Sequence, residues 1–209
     1  MSIYALKGRF QDLLRPCVRV LHEAGITANQ VTLAAAALSL LVAALVFAFA
    51  PGHTLLYLLL PGWMLLRMAL NAIDGMLARG FGQKSPLGAY LNELCDAVSD
   101  AALYLSLLGV PGVQPQLLWA MVAMALLTEY AGVLGLMVGA SRRYEGPMGK
   151  SDRALVIGVV GVLLAMGWID GTGVDIAAMI MAALCLPTLW RRVGAGLQEV
   201  RKASGEQGE

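Results

Sequence analysis

The chain has 209 residues, of which 58% are hydrophobic and 14% charged, with a formal net charge of +1 at pH 7. The mean hydropathy is +0.70, and this composition excludes an ordinary soluble domain, whose charged share is about 25%. It indicates an integral membrane protein, and the positions of the basic residues show no nucleic-acid-binding signature.

Residues 1–30 predict an amphipathic helix rather than a cleaved signal peptide, because charges run through the segment and it has no continuous apolar core. Its apolar residues recur at steps of three and four, which places them on one helical face. They are Ile3, Leu6, Phe10, Leu13, Leu14, Cys17, Val18 and Leu21. We expect this helix to lie in the membrane interface, with its basic residues toward anionic headgroups. The alternative is an ordinary helix that faces solvent.

Six apolar segments follow, and each is close to the length of about 20 residues that a membrane-spanning helix needs. They cover residues 31–50, 54–79, 88–109, 115–140, 153–169 and 174–190. The sequence therefore predicts an all-α integral membrane protein, with six transmembrane helices in residues 31–190 after the interfacial helix. Residues 191–209, which end in KASGEQGE, are predicted to form a disordered cytoplasmic tail.

Basic residues orient the predicted spans, because Lys and Arg near helix ends are retained on the cytoplasmic side. The connections at 50–54, 109–115 and 168–173 contain neither, and fourteen of the fifteen basic residues fall on the opposite side. We therefore expect both termini in the cytoplasm, and a bacterial inner membrane as the location.

Two polar stripes interrupt the second and third spans. An ionisable side chain at membrane depth costs a few kcal/mol or more unless it is paired or faces water, so it is a candidate for function. The stripes comprise Asn71, Asp74, Gly75 and Ala78 on one span and Gly88, Asn92, Asp96 and Asp100 on the other. Two neighbouring helices thus direct oxygen ligands at one region, which suits Mg²⁺ or Mn²⁺ and, with them, phosphates. The alternative is that the acids pair with Arg67 and Arg79 as buried struts.

This region resembles the signature of the CDP-alcohol phosphotransferase family, D-x-x-D-G-x-x-A-R, eight residues, and G-x-x-x-D-x-x-x-D. The chain matches six of the eight fixed positions with the spacing intact and has Asn71 and Asn92 at the other two. The segment GITANQVT is also similar to the family's segment before the first span, so Asn29 and Thr32 fit, while Ala28 replaces a proline.

The resemblance implies a six-helix membrane enzyme, usually a homodimer, that transfers a substituted phosphate group from a CDP-linked donor to a polar alcohol and releases CMP. It also implies two divalent ions on the donor pyrophosphate, Mg²⁺ or Mn²⁺, with Asp96 as the base for the incoming hydroxyl. The metal-ligand positions are Asn71, Asp74, Asn92, Asp96 and, as a substitute, Asp100. The nucleotide-binding positions are Asn29, Thr32, Asp74, Gly75, Ala78, Arg79 and Gly88. We expect CDP-diacylglycerol as the donor, in phospholipid synthesis, at a site that opens to the cytoplasm.

The two asparagines leave three accounts of the site open. Asp100 or Glu93 could replace the missing acids, and Asp100 is better placed because it shares the stripe of Asp96. One ion could instead be bound much more weakly than the other, or the site could be inactive. Two alternative functions stay open: an enzyme with a soluble CDP-alcohol donor and a diacylglycerol acceptor, which the motif does not distinguish, and an inactive homologue that binds nucleotide lipid, which the two asparagines favour. A transporter is disfavoured, because no polar stripe continues through the last two spans.

Two further charge groups carry predictions. The connection after the fourth span predicts a binding wall for a phosphorylated acceptor such as a glycerol or inositol phosphate, with lipid headgroup binding as the alternative. Its basic residues are Arg142, Arg143, Lys150 and Arg153. Arg67, Asp100 and Glu129 lie at similar depth in their spans, and they predict a structural ion cluster beneath the site.

Overall fold

The computed structural model describes residues 3–205, with side chains from Phe10 onward. These residues form seven α-helices and two short 3₁₀ segments, Thr54–Leu58 and Ser106–Gly109, and they contain no strand. The helices are α1 (Ile3–Glu23), α2 (Ala28–Phe49), α3 (Leu59–Gly80), α4 (Pro86–Leu105), α5 (Pro115–Met137), α6 (Lys150–Ala165) and α7 (Gly171–Ala203). The predicted all-helical class is confirmed.

Four helical segments are long and apolar enough to cross a membrane. They are Ala28–Phe49, Thr54–Gly80, Pro115–Met137 and Gly171–Ala203. Large apolar side chains on their outward faces, such as Leu41, Phe47 and Trp119, are exposed, as expected where the surrounding solvent is lipid.

The other two predicted spans are helices of a different character. The span at 153–169 corresponds to α6, which has 16 residues and is therefore about 24 Å long at about 1.5 Å per residue. The span at 88–109 corresponds to α4, which carries three acidic residues, Glu93, Asp96 and Asp100. Helix α6 is therefore shorter than a typical membrane-spanning helix. Helix α4 carries acids that need charged partners or water at membrane depth.

Helices α2 to α7 pack in a ring in the order α2, α3, α6, α7, α5 and α4. Buried apolar side chains from all parts of the ring form one core, including Leu60, Leu103, Met121, Ile157 and Met181. Helices α2, α4 and α6 begin at the end of the ring where α3 and α5 end. We call it the charged end.

Helix α1 packs against α3 at the charged end. Val18 is buried in a second apolar cluster with Ile73 and Leu77. Leu13 and Cys17, predicted on the same apolar face, are exposed. The face of α1 that packs on the protein is thus narrower than the predicted apolar face. The first two residues of that predicted face, Ile3 and Leu6, lie before the residues whose side chains are described.

The predicted disordered tail is wrong for residues 191–203, which continue α7 to Ala203. Arg192 is buried, and its Nε donates to the carbonyl oxygen of Glu145 at 3.2 Å. About two turns further on, Glu199 accepts hydrogen bonds from the backbone N–H and the hydroxyl of Ser141, at 3.1 and 2.9 Å. These tertiary contacts stabilise a segment whose polar composition suggested disorder; residues 206–209 lie outside the described part.

The loop between α5 and α6, residues 138–149, folds back along α5 toward α7. The backbone N–H of Arg143 donates to the carbonyl of Gly132 at 3.0 Å. Gly146 has φ +122°, and a Cβ added to it would lie 2.7 Å from the Cα of Thr188. This close approach requires glycine, and it sets where the loop ends and α6 begins.

Replacing Gly146 by alanine is expected to destabilise the protein, because both the positive φ and the overlap with Thr188 oppose a Cβ. Gly139→Ala is the matched control, since Gly139 lies in the same loop with φ +86° but has open space around its Cβ. We expect Gly146→Ala to cost about 1–3 kcal/mol more than the control, as overpacking does in protein interiors. Thermal unfolding of both purified variants in detergent measures the difference, and equal midpoints would contradict the contact with Thr188.

Candidate functional site

The signature residues gather where α2, α3 and α4 meet at the charged end. The hydroxyl of Thr32 donates to Asp74 Oδ2 at 2.8 Å. A Cβ placed on Gly88 would lie 2.8 Å from Asn29 Oδ1, so the missing side chain lets α4 approach α2. The predicted positions Asn29, Thr32, Asp74 and Gly88 therefore lie in two contacting pairs.

Local capping interactions hold this junction together. Thr27 and Gln30 form a capping box at the start of α2, and Ser85 accepts the backbone N–H of Gly88 at 3.0 Å at the start of α4. Gln83 Oε1 accepts the backbone N–H of Ala28 at 2.7 Å, which links the connection between α3 and α4 to α2. Caps of this kind satisfy backbone donors that the first turn leaves free, so both helix starts are well defined beside the site.

Arg79 folds back over Gly75 in the last turns of α3. A Cβ on Gly75 would lie 2.8 Å from a terminal nitrogen of the Arg79 guanidinium. The same arginine borders an open groove of about 370 Å³ between α1 and α3, together with Arg15 and Arg19. Three guanidinium groups around one groove suit an anionic group such as a phosphate.

Asp96 has partners on both carboxylate oxygens. Its Oδ1 accepts hydrogen bonds from Arg67 at 2.9 Å and from the amide nitrogen of Asn71 at 3.1 Å. Its Oδ2 forms an ion pair with Lys150. Asp74 differs, because among the side chains of residues 10–205 no lysine, arginine or histidine nitrogen lies within 4 Å of its carboxylate.

A buried ion cluster lies deeper in the ring. Arg67 forms an ion pair with Asp100, and a terminal nitrogen of Arg153 lies 4.0 Å from the other oxygen of Asp100. Arg153 also donates to Glu129 Oε1 at 2.7 Å, and Arg192 approaches the same oxygen at 3.4 Å. The three residues predicted as one cluster are thus connected. Arg67 pairs directly with Asp100, and Arg153 links Asp100 to Glu129.

Neither acid proposed as a substitute metal ligand is free for that role. Asp100 faces Arg67, and Glu93 accepts a hydrogen bond from Arg142 at 2.6 Å. The predicted use of Asp100 as a metal ligand is therefore not supported by the geometry. Asn92 lies one turn before Asp96 on α4 and is half-buried.

The four basic residues predicted to bind an acceptor have different surroundings. Lys150 and Arg142 face the acidic residues of α4, Asp96 and Glu93. Arg153 is 1% exposed and belongs to the ion cluster. Arg143 points the other way, and it forms ion pairs with Glu145 and Glu199.

Glu145 lies in the loop beside these arginines. Burial acts to raise its pKa, but hydrogen bonds from backbone N–H groups and from Arg143 outweigh burial and lower the pKa below its usual value. Glu145 therefore remains ionised at neutral pH as a partner of Arg143.

Arg192 was not singled out by the sequence pattern, which assigned it to the positive charges that follow the last span. It is 2% exposed, and its guanidinium donates to the carbonyl of Thr128. The spacing contained a signal, because Thr188, Arg192 and Gly196 recur by fours and share one buried stripe of α7.

The polar signature positions on α3 and α4 carry oxygen donors of the type that binds a hard divalent cation. Asp74, Asn71 and Asn92 supply a carboxylate and two amide oxygens, which suit Mg²⁺ or Mn²⁺. In the part of the chain that the structure describes, no three histidine, cysteine, aspartate or glutamate side chains converge as a metal-binding group. The chain has two acids, Asp74 and Asp96, where the family pattern has four aspartates. It therefore offers less negative charge to bound cations.

A family model for CDP-alcohol phosphatidyltransferases matches residues 25–190. The chain belongs to this family. It is 47% identical over 166 residues to inner membrane protein YnbA of Escherichia coli (strain K12), which covers 79% of this chain and 82% of that protein. It is 36% identical over 92 residues to archaetidylinositol phosphate synthase of Aeropyrum pernix, 44% of this chain and 47% of that protein. The predicted family is confirmed, and the chain is an integral membrane protein.

Solved structures of Mycobacterium tuberculosis phosphatidylinositol phosphate synthase, PgsA1, show the same fold. The form with CDP-DAG bound has a TM-score of 0.72 at 18% identity, and covers 93% of this chain and 96% of that chain. The form in complex with manganese and citrate has a TM-score of 0.71 at 19% identity, and covers 93% and 91%. At this identity the likeness establishes the architecture of this family member.

Arg67→Met is expected to destabilise the protein by about 3–5 kcal/mol, because it leaves the carboxylate of Asp100 buried without its guanidinium partner. Asp100→Asn in the same chain removes that charge, so the double variant should recover part of the loss. Unfolding midpoints measured in one detergent test this pairing. Arg191→Met, which removes an exposed arginine, is the control and should leave the midpoint unchanged. A double variant no more stable than Arg67→Met would contradict the pairing.

Proposed function

We propose that the chain transfers a phosphatidyl group from CDP-diacylglycerol to a polar alcohol and releases CMP. The observation that carries this proposal is the junction of α2, α3 and α4, where Thr32 contacts Asp74 and Gly88 approaches Asn29. Asp74 and Gly88 are signature positions of a phosphatidyltransferase family, and Asn29 and Thr32 lie in the segment that is similar to the family's segment before the first span.

The donor nucleotide occupies this junction in the proposal. Gly75 and Gly88 let Arg79 and Asn29 lie close against the backbone, Ala78 has a small side chain, and Asn29 and Thr32 supply hydrogen-bonding groups. Arg79 adds a guanidinium near the donor phosphates. The groove between α1 and α3 lies beside Arg79 and offers Arg15 and Arg19 to an adjoining anionic headgroup. The CDP-DAG bound to the M. tuberculosis enzyme supports this type of donor.

In the proposed reaction, a hydroxyl oxygen of the acceptor attacks the phosphorus that carries diacylglycerol. The bond between that phosphorus and the bridging oxygen breaks, and CMP leaves with the bridging oxygen. Asp96 accepts the hydroxyl proton. A divalent cation held by Asp74, with Asn71 and Asn92, would neutralise phosphate charge at this position. Manganese in the structure of the M. tuberculosis enzyme supports a divalent cation of this size.

A phosphorylated acceptor is the form of alcohol that we propose. Arg142 and Lys150 contact α4 through Glu93 and Asp96, with side chains 22% and 32% exposed. All four basic residues pair with protein carboxylates, but the side chains of Arg143 and Arg153 are only 15% and 1% exposed. The A. pernix relative is named as a synthase of an inositol phosphate lipid, which supports this acceptor class.

The membrane arrangement completes the proposal. All six helices α2 to α7 cross or enter the membrane, α1 lies in the interface, and the chain forms a homodimer in a bacterial inner membrane. The basic residues place both termini and the charged end in the cytoplasm, where CDP-linked donors and phosphorylated alcohols are water-accessible.

The proposed activity is expected to depend on a divalent cation and on both aspartates. Purified protein in liposomes that contain CDP-diacylglycerol should release CMP with Mg²⁺ or Mn²⁺ and a suitable member of an alcohol panel. Asp74→Asn or Asp96→Asn should abolish release, because each removes charge at the reacting phosphates. Full release in excess chelator would contradict metal dependence.

The same assay separates the alternative functions. Turnover of a soluble CDP-alcohol with diacylglycerol, but not of CDP-diacylglycerol with any alcohol, would reverse the assignment of donor and acceptor. Binding of CDP-diacylglycerol without turnover of either pairing would identify an inactive homologue.

Arg142→Gln is expected to raise the KM for a phosphorylated acceptor by about tenfold, because a charge-assisted hydrogen bond contributes about 1.5–3 kcal/mol. Arg143→Gln is the matched control, since its guanidinium faces Glu145 and Glu199. The KM for CDP-diacylglycerol should change little in either variant. A similar increase in both KM values would indicate general attraction of anionic headgroups instead.

A further inference from the structure

Lys150 is positioned by the fold rather than by a flexible surface segment. It is the first residue of α6, where the backbone N–H of Gly149 donates to Asp152 at 2.9 Å. The preceding residue, Met148, donates its backbone N–H to the hydroxyl of Thr188 at 3.1 Å. These contacts hold the start of α6 so that the ammonium group of Lys150 reaches Asp96 Oδ2.

The two aspartates of the site differ in how much positive charge already surrounds them. Asp96 contacts Lys150 on one oxygen and Arg67 on the other. Asp74 contacts the neutral hydroxyl of Thr32, and no basic nitrogen of the described chain lies within 4 Å of it. A divalent cation therefore meets an uncompensated carboxylate at Asp74 and a compensated one at Asp96.

The charge balance of the site matches one ion. Asp74, Asp96 and Asp100 carry three negative charges, and Arg67 and Lys150 carry two positive ones, which leaves one negative charge when Arg153 is assigned to Glu129, its nearer partner at 2.7 Å. A single divalent ion reverses this to one positive charge. With aspartate at positions 71 and 92, the same residues would carry three uncompensated negative charges, and two divalent ions would be needed to reach the same value.

We propose that this chain binds one divalent cation, at Asp74, and that the ammonium group of Lys150 takes the place of a second cation at Asp96. In this arrangement Asn71 and Asn92 add no negative charge to the site, and Lys150 neutralises Asp96. Asn71 supports this arrangement directly, since its amide donates to Asp96, whereas an aspartate there would repel that carboxylate. This inference rests on the proposed function, and it specifies the metal stoichiometry of the same site.

The stoichiometry of Mn²⁺ binding tests the proposal without a measurement of activity. Electron paramagnetic resonance of the full chain in detergent, titrated with MnCl₂ alone, counts bound ions and detects coupling between neighbouring ones. We expect one uncoupled Mn²⁺ per native chain, and two coupled ions in the Asn71→Asp, Asn92→Asp variant. Two coupled ions in the native chain, or one in the double variant, would overturn the proposal.

Substitution of Lys150 tests the role of its charge. Lys150→Met removes the positive charge that pairs with Asp96, so Mn²⁺ should bind at least about tenfold more tightly. Lys150→Arg keeps the charge and should leave the affinity close to the native value. Lys84→Met is the matched control, because Lys84 is exposed and forms no salt bridge with another described residue. Unchanged Mn²⁺ affinity in Lys150→Met would overturn the proposal.

The outcomes for this inference and for the proposed function are distinguishable. If the native chain releases CMP with Mn²⁺ but binds two ions, the enzyme assignment stands and the one-ion inference fails. If it binds one Mn²⁺, responds to Lys150→Met as expected and releases no CMP, the inference stands and the enzymatic function fails. If it binds no Mn²⁺, both the inference and the metal-dependent mechanism fail. Size-exclusion profiles and circular dichroism of each variant establish that the folded protein is compared.

Discussion

Neutralisation of buried charge is the constraint on which the structure depends. Arg153 and Arg192 are almost completely buried, and a guanidinium withdrawn from water requires a partner. Both approach the same oxygen of Glu129, while Arg142 lies 3.4 Å from the other. One carboxylate on α5 thus connects the start of α6, the middle of α7 and the loop between α5 and α6.

That network determines where the candidate site can form. Arg67 joins α3 to α4 through Asp96 and Asp100, and Arg153 continues from Asp100 to Glu129. The signature helices and the basic loop are therefore two halves of one assembly, joined beneath the site. A network of this kind cannot lose one member cheaply, since each removal leaves an opposite charge buried. Gly146 contributes to this assembly, because its lack of a side chain lets the loop pass close to Thr188. The loop then leads into α6, where Lys150 reaches Asp96.

The contrast between Asp74 and Asp96 links this architecture to the proposed chemistry. Asp74 lies at the junction of α2, α3 and α4 with a neutral partner, and Asp96 lies between two cations contributed by α3 and α6. Two acids in such different surroundings are suited to different tasks, one to bind a cation and the other to act beside a fixed positive charge. The asparagines at 71 and 92 are consistent with this division, because they remove negative charge where Lys150 supplies positive charge.

The sequence by itself determined the helical class, the family and the residues of the α2–α4 junction. These depend on local properties: apolar length, the 3.6-residue period and a motif contained in thirty residues on two consecutive helices. It also placed Arg67, Asp100 and Glu129 together, because depth along a span can be counted. Only the tertiary structure decided that Arg192 is buried, that α7 continues to Ala203, and that Lys150 and Arg143, seven residues apart, face different carboxylates. Those outcomes depend on which charges from distant segments meet in the packed ring, and pairing between segments leaves no periodic signal in the chain.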